Sequence, residues 1–517
     1  MADIERFKAS IQTGYNTKGD FIVLGAPMID GQTLADAPVK APLKTFNRHG
    51  LIAGATGTGK TKSLQLIAEQ LSDKGVACLL MDIKGDLSGI AKPGSINPKI
   101  EERQGRIGIN WQPKQNPVEL LSLSNEKGAR LRATVSEFGP VLFSKILDLN
   151  DTQQGVVAII FKYCDDNNLP LLDLKDFKKV MNFITNEGKA DIEQTYGKVS
   201  TATTATILRK VIELEGQGAE IFFGEKSFEV DDLCRVDENG KGIITILRLT
   251  DVQDRPKLFS TFMLCLLAEI YATFPEEGDA DRPKLVIFID EAHLVFEEAS
   301  KALLDQIETI VKLIRSKGVG IFFVTQNPMD VPDSVLGQLG MKVQHALRAF
   351  TAKDRKQIKL TAENYPLSDF YDTENIITTL GMGEALVTVL AENGSPTPLA
   401  VTLMQAPQSR MDILSPTEID EINNKSFLVK KYNDVIDRES AFEILSRKLQ
   451  APVQNPTVTS SKSTGGKASN TTVNQPTMFE KGADAVTDFA KSSAGKVILR
   501  EVTRGLLGVL GLGGKRR

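Results

Sequence analysis

The run Gly54-Ala55-Thr56-Gly57-Thr58-Gly59-Lys60-Thr61 fits G-x-x-x-x-G-K-[ST], the spacing of a phosphate-binding loop. In such a loop glycines turn successive backbone N–H groups inward, so that they cradle a polyphosphate at a helix N-terminus. Lys60 is placed to neutralise the β- and γ-phosphates, and Thr61 to set its hydroxyl on Mg²⁺. A second constellation lies 230 residues on, where Leu285-Val286-Ile287-Phe288-Ile289 ends in Asp290-Glu291. An apolar strand that ends in an acid is the Walker B arrangement. Asp290 would hold the Mg²⁺ of a bound ATP, through water, and Glu291 would orient and polarise the attacking water as a base. The expected ligand contacts are therefore Gly54 through Thr61 together with Asp290, and the metal falls to Thr61 and Asp290.

Three further residue types bear on phosphoryl transfer. The next apolar run, Gly320-Ile321-Phe322-Phe323-Val324, ends at Thr325-Gln326-Asn327, and Gln326 is placed to touch both the γ-phosphate and the water. Charge grows on the γ-phosphoryl oxygens in the transition state, so a guanidinium there lowers the barrier. Arg315 ends the helix after the acids, Arg348 follows the short run His345-Ala346-Leu347, and Arg355 lies a little beyond. Each is a candidate finger into a neighbouring subunit or sensor in its own, with surface salt bridges as the plain alternative. His293 reads as a packing or supporting residue, since Glu291 already fills the role of base. In Asp82-Ile83-Lys84-Gly85-Asp86-Leu87 either Asp82 or Asp86 is a candidate nucleotide contact, or the loop only turns the chain. Gly381-Met382-Gly383-Glu384-Ala385 reads as a structural lead into a strand.

These residues need a scaffold, and the pattern supplies one. Leu51-Ile52-Ala53 reads as a buried strand before the loop. The apolar spacing at 64, 67, 68 and 71 reads as a helix after it. Further strands are expected at 21–24, 76–81, 242–247, 285–289, 320–324, 345–347, 385–389 and 399–403, alternating with helical pattern. The expected architecture is α/β: a RecA-like P-loop NTPase with a mostly parallel sheet, a large mainly helical insertion and a small β-rich N-terminal segment. The segments are 1–45 (β-rich), 46–95 (first part of the core), 96–240 (helical insertion) and 241–410 (second part of the core). C-terminal helices over 411–450, a disordered linker over 451–480 and a basic amphipathic tail over 481–517 follow. Ser415-Pro416-Thr417-Glu418 carries the capping-box spacing with proline at the first helical position.

Composition bounds the rest. At 517 residues, 41% hydrophobic and 25% charged, the chain has the make-up of a globular protein with room for more than one domain. No apolar stretch has the length of a membrane-spanning helix, and the N-terminus has no signal-peptide core. The four cysteines show no C-x-x-C spacing and read as reduced, which points to the cytoplasm. Three histidines beside them suggest no zinc site. The net charge of −4 is uneven: residues 451–517 carry ten Lys/Arg against four Asp/Glu, leaving −10 on the other 450 residues. A basic tail on an acidic body hints at an anionic partner.

The motifs together resemble the bacterial HerA-like ATPases of the YjgR type, within the HerA/FtsK superfamily. The residues that carry the likeness are Asn47 through Thr61, Asp82 through Gly89, Asp290-Glu291-Ala292-His293, Gln344 through Phe350 and the tail Arg504-Gly505-Leu506-Leu507-Gly508. The resemblance implies a RecA-like motor core, a hexameric ring with ATP at subunit interfaces, and DNA drawn through the pore. It places Lys60 and Thr61 on phosphate and Mg²⁺, Asp290 as the Walker B acid, Glu291 as the catalytic carboxylate and Gln326 as the sensor. The N-terminal region is short for the β-barrel of HerA itself. Asp290-Glu291-Ala292-His293 also spells the DEAH box, but the tandem second core of that helicase class is absent from the sequence.

Two readings stay open. One is a ring ATPase that moves DNA. The other is a nucleotide-switched ATPase that regulates a protein partner without binding nucleic acid; the acidic body favours it. A small-molecule kinase has no acceptor-binding motif to support it.

Overall fold

The computed structural model describes residues 2–450 apart from 253–254, 279, 297–300, 435 and 437. The expected linker (451–480) and basic tail (481–517) lie outside the described residues.

Runs such as Leu285–Ile289 are apolar at every position because both faces of their sheet are covered. Thirteen strands among the described residues form one mixed sheet. In chain order they are β1 (Phe21–Ile29), β2 (Gln32–Thr33), β3 (Val39–Pro42), β4 (Gly50–Ala53), β5 (Ala77–Asp82), β6 (Val118–Ser122) and β7 (Ala129–Arg130). β8 (Ile244–Arg248), β9 (Leu285–Ile289), β10 (Val319–Thr325), β11 (Met341–Gln344), β12 (Glu384–Thr388) and β13 (Ala400–Met404) complete it. Across the sheet the order is β2-β1-β13-β12-β11-β4-β10-β9-β5-β8-β6-β7, with β3 on β1. From β11 to β7 every pair is parallel. β12, β13 and β1 add on antiparallel.

The helices used below are α1 (Ala2–Gly14), α2 (Lys60–Asp73), α3 (Pro98–Ile107), α4 (Val135–Ile146), α5 (Asp151–Asp166), α6 (Leu174–Thr185), α7 (Lys189–Thr195) and α8 (Thr201–Gly216). α9 (Pro256–Thr273), α10 (His293–Phe296) and α11 (Lys301–Ile314) follow. Side chains alternate across a strand, and the two faces build two cores. On one face Leu79 and Ile287 pack with α9, α11 and the aromatic cluster Phe143, Phe161 and Phe177 of α4 to α6. On the other face Leu80, Phe288 and Phe322 pack with Leu64 and Ile67 of α2 and with Phe7 and Ile11 of α1.

One strand, β10, separates the strand that leads into the phosphate loop (β4) from the strand that ends in the acids (β9). This is the RecA-like arrangement. The strand expected at 242–247 falls at β8, on the far side of β5, outside the β4–β10–β9 group.

Two local expectations are refined and one, the strand at 345–347, is corrected. The N-terminal stretch opens with a helix, α1, before its strands, because Ile4, Phe7 and Ile11 share one helical face that packs into the same core as Ile22 and Leu24 of β1. Those strands are not a separate lobe: β1 pairs in register with β13, Ala26 opposite Leu403. The stretch 96–240 holds not only helices but also β6, which extends the main sheet beside β8. The short strand near 345 is β11, which ends at Gln344; Arg348 therefore lies beyond it in irregular chain.

Candidate active site

The glycines of the loop are there for their backbone. Gly54, Gly57 and Gly59 have φ of 149°, 77° and 119°, the region L side chains avoid. At Gly54 a Cβ would also lie 2.5 Å from the Cβ of His345. The loop is held from three sides. Gly54 N–H donates to Thr325 O of β10 (3.3 Å), Ala55 N–H to Ala346 O after β11 (2.8 Å), and Gly383 N–H to Thr58 O (2.9 Å). Thr58 Oγ1 donates to Ala55 O at 2.7 Å.

Lys60 opens α2 and is buried, its Nζ donating to Gly54 O (2.6 Å) and Ala55 O (3.2 Å). Burial, then the ammonium of Lys84, push its pKa down. Beneath the loop sits His345, fully buried, with Nε2 2.9 Å from Ser63 Oγ and Nδ1 2.9 Å from Glu384 O. Burial lowers its pKa to about 4, so the ring is neutral, with Nδ1–H donating to the carbonyl and Nε2 accepting from the serine.

The acids stand where the strand pattern put them. Asp290 follows β9 and is buried, and burial raises its pKa to about 6. Its Oδ2 is buried without a hydrogen-bond partner. Glu291 has a left-handed backbone, φ 46°, rare for a residue with a side chain and typical of strain held at working sites. Ala292 N–H, bonded to Val324 O at 3.0 Å, pins that turn to β10. The Glu291 carboxylate is buried and pairs on one oxygen with Lys84 Nζ, on the other with His293 Nδ1 at 3.2 Å.

Gln326 follows β10 and touches the loop: Thr56 Oγ1 donates to its Oε1 at 3.4 Å. The turn behind it is fixed by Asp330, whose Oδ2 accepts from Thr325 Oγ1 (2.6 Å) and Asn327 N–H (3.2 Å). The ends of β4, β9 and β10 so bring loop, acids and glutamine to one edge of the sheet.

The loop after β5 resolves into separate jobs. Asp82 is buried and accepts from the N–H groups of Gly85 (2.8 Å), Asp86 (3.1 Å) and Leu87 (3.2 Å), so it shapes the loop. Burial raises its pKa to about 7. The loop it shapes presents Lys84, which the sequence did not single out, to Glu291.

A cavity of about 580 Å³ opens on the phosphate loop. Thr56, Lys60, Lys84 and Asp86 line its polar end, and Ile100, Met382, Met404 and Met411 its apolar one. The apolar end has the chemistry of a base-binding slot. Arg103 of α3 ties it together, donating to Gly383 O (3.0 Å), Met404 O (3.2 Å) and Met382 O (2.9 Å). Gly381–Ala385 is therefore part of the cavity wall as well as a lead into β12. Residues 407–411 are clamped to α2: Glu69 accepts from Gln408 N–H (2.7 Å) and Ser409 N–H (3.1 Å), and Gln65 donates to Arg410 O (2.9 Å). The sequence signal for this contact was the polar run within an otherwise apolar helix face.

The arginines separate. Arg315 follows α11 at the start of β10, at the opposite sheet edge from Thr325, about 20 Å by strand rise. A sensor role in its own subunit is excluded by that distance. It lies beside a cleft of about 420 Å³ that Arg48, Lys312 and Lys342 also line; among the described residues none of the four has a carboxylate within ion-pair distance. Arg348 is exposed on the loop's side of the sheet, and its Nη1 donates to Thr378 O at 3.3 Å. Arg355 lies in the helix Ala352–Glu363.

The donor set fits Mg²⁺. Thr61 and Asp290 offer hard oxygen atoms, and the orphaned Asp290 Oδ2 is the kind of buried acceptor a hydrated cation satisfies.

Fold and site define the class: a RecA-like P-loop ATPase core, with the phosphate loop, the two acids and Gln326 at the ends of adjoining strands. The chain belongs to the helicase HerA-like C-terminal family, which matches residues 28–517. It is similar to the DNA double-strand break repair helicase HerA of Sulfurisphaera tokodaii, 22% identical over 359 residues, covering 68% of this chain and 64% of that protein. The protein of the same name from Sulfolobus acidocaldarius is 21% identical over 369 residues, covering 68% and 64%. The chain thus spans 64% of the length of these relatives. Among solved structures it is similar to the bacterial conjugative coupling protein TrwBdeltaN70 (TM-score 0.49, 14% identity, 79% of this chain and 95% of that one). It is also similar to VirB4 of Thermoanaerobacter pseudethanolicus (TM-score 0.47, 16% identity, 78% and 100%). No helix among the described residues is long and apolar enough to cross a membrane.

Proposed function

We propose that the protein hydrolyses ATP with Mg²⁺ as part of a hexameric ring and couples turnover to movement along DNA. One observation carries the hydrolytic half: Glu291, on a strained turn beside Asp290, stands one strand away from a phosphate loop that Gln326 already touches. Lys60 and the loop N–H groups bind the β- and γ-phosphates. Thr61 and Asp290 hold Mg²⁺, which when bound neutralises charge on those phosphates. Gln326 orients the attacking water and Glu291 accepts its proton. Arg315, remote from its own loop and without a carboxylate in ion-pair distance among the described residues, reaches the γ-phosphate of a neighbouring copy; Arg348 is the second candidate.

The DNA half rests on family membership and on the similar proteins from Sulfurisphaera tokodaii and Sulfolobus acidocaldarius, both DNA double-strand break repair helicases by name. A nucleotide-switched regulator of a protein partner is the alternative, favoured by the −10 charge of residues 1–450. Steady-state ATP hydrolysis with and without double- and single-stranded DNA decides between them. Several-fold stimulation, lost in Lys60→Ala, supports the motor; turnover indifferent to DNA supports the regulator. Glu291→Gln is expected to bind ATP and to lose at least about a hundredfold in turnover. Normal turnover in that variant refutes the base assignment.

A further inference from the structure

We propose that Lys84 reads the γ-phosphate and, in doing so, releases Glu291 to act on water. The proposal rests on the ATPase reading above.

Lys84 is presented by a rigid loop, since Asp82 takes three of its N–H groups and Gly85 (φ 77°) makes its turn. The ammonium lies on the buried Glu291 carboxylate and also lines the nucleotide cavity with Lys60 and Asp86. The charged groups around it are Glu291, Asp290 and Asp86, which favour its charge, and Lys60, which its own charge opposes. His293 Nδ1 lies 3.2 Å from the other oxygen of Glu291.

Two consequences follow from that placement. A carboxylate held by an ammonium is a poor base, because the pair must be broken before the oxygen can take a proton. A γ-phosphate arriving at Lys60 brings more negative charge than one carboxylate, at the same end of the cavity that Lys84 lines. Lys84 then exchanges its partner, from Glu291 to a γ-phosphoryl oxygen. Glu291 is freed to accept a proton from water as the water oxygen bonds to phosphorus and the bond to the β,γ-bridging oxygen breaks, leaving ADP and phosphate. ADP has no γ-phosphate to draw Lys84 away, so the pair re-forms after release.

The test uses the full chain and two probes, ADP and the non-hydrolysable β,γ-imido analogue of ATP, with Mg²⁺, by calorimetry. Lys84→Met keeps the stem of a partly exposed side chain. It is expected to weaken the analogue about tenfold or more and leave ADP within about twofold. Lys84→Arg is expected to restore most of the difference. Glu291→Gln is expected to tighten the analogue, because Lys84 no longer has a carboxylate to leave, and that gain is expected to vanish in the double variant with Lys84→Met. Equal losses for both probes, an unchanged analogue affinity, or a gain that survives in the double variant each overturn the proposal. If the wild-type protein binds neither probe, the ATPase reading itself fails, which is a separate result.

Discussion

Glycine and histidine meet at the base of the phosphate loop, and each constrains the other. Gly54 can hold φ 149° and lie against His345 only without a side chain. Gly54→Ala is therefore expected to abolish nucleotide binding while the sheet remains folded, with circular dichroism and calorimetry as the two measurements. His345 and His49 share a second property, since burial lowers both pKa values from 6.5 to about 4. His49 is tied in through Nδ1, which accepts from Ile321 N–H at 3.0 Å. The unfolded chain binds a proton at each ring below about pH 6.5, and the folded chain does not until about pH 4. Stability is therefore full above 6.5 and falls as the pH drops toward 4, by about 2 kcal/mol per histidine at pH 5. Urea midpoints at pH 7.5 and pH 5 would show the fall, and His49→Gln would lessen it. The glycine and acid motifs were legible because loop geometry is local. His345 and Lys84 were not assigned, because their roles depend on partners far along the chain: Ser63 for one, Glu291 for the other.

At the scale of elements, α2 shows how much a hydrophobic pattern omits. Leu64, Ile67, Ala68 and Leu71 were readable as its buried face. Gln65 and Glu69 are buried as well, because residues 407–411 cover the flank and bring their N–H groups with them. Burial raises the pKa of Glu69 while its three bonds to Gln408 and Ser409 hold it down. Glu69→Ala leaves those donors unmet and is expected to cost about 2–3 kcal/mol, read in urea unfolding. It is also expected to weaken nucleotide binding, because the covering segment carries Pro407 and Met411, which line the cavity. The parallel strands β4, β5, β9 and β10 matched their apolar runs to within a residue or two. β6 was hidden, since Val118–Ser122 alternates a glutamate among its apolar residues, and that glutamate pairs with Arg235. α1 was present in the spacing of Ile4, Phe7 and Ile11, but the strand at 21–24 dominated the reading of that segment.

For the whole molecule, the two ends of β10 define two functional edges. The carboxyl ends of the strands hold the phosphate loop and acids; the amino ends hold Arg315 beside Arg48, Lys312 and Lys342, none of them in an ion pair among the described residues. A ring that stacks one edge against the next would join them. Mixing tests this: Glu291→Gln subunits retain Arg315, and Arg315→Ala subunits retain Glu291. If Arg315 acts in a neighbour, mixed rings are expected to recover turnover that neither parent has, and recovery scales with the mixing ratio. No recovery removes Arg315 from catalysis and leaves Arg348 for the same assay.

The phosphate loop is complete only when chain translated much later has arrived. Ala55 bonds to Ala346, Thr58 to Gly383, and β1 docks on β13 nearly four hundred residues downstream. Chains emerge from the ribosome N-terminus first, and contacts of such long range close slowly. A nascent chain arrested near residue 340 would carry every glycine of the loop and still fail to retain nucleotide, whereas one extruded past β13 would hold it. Nucleotide capture is thereby expected to wait for β13, and a chain that stops short of it is expected to hold none.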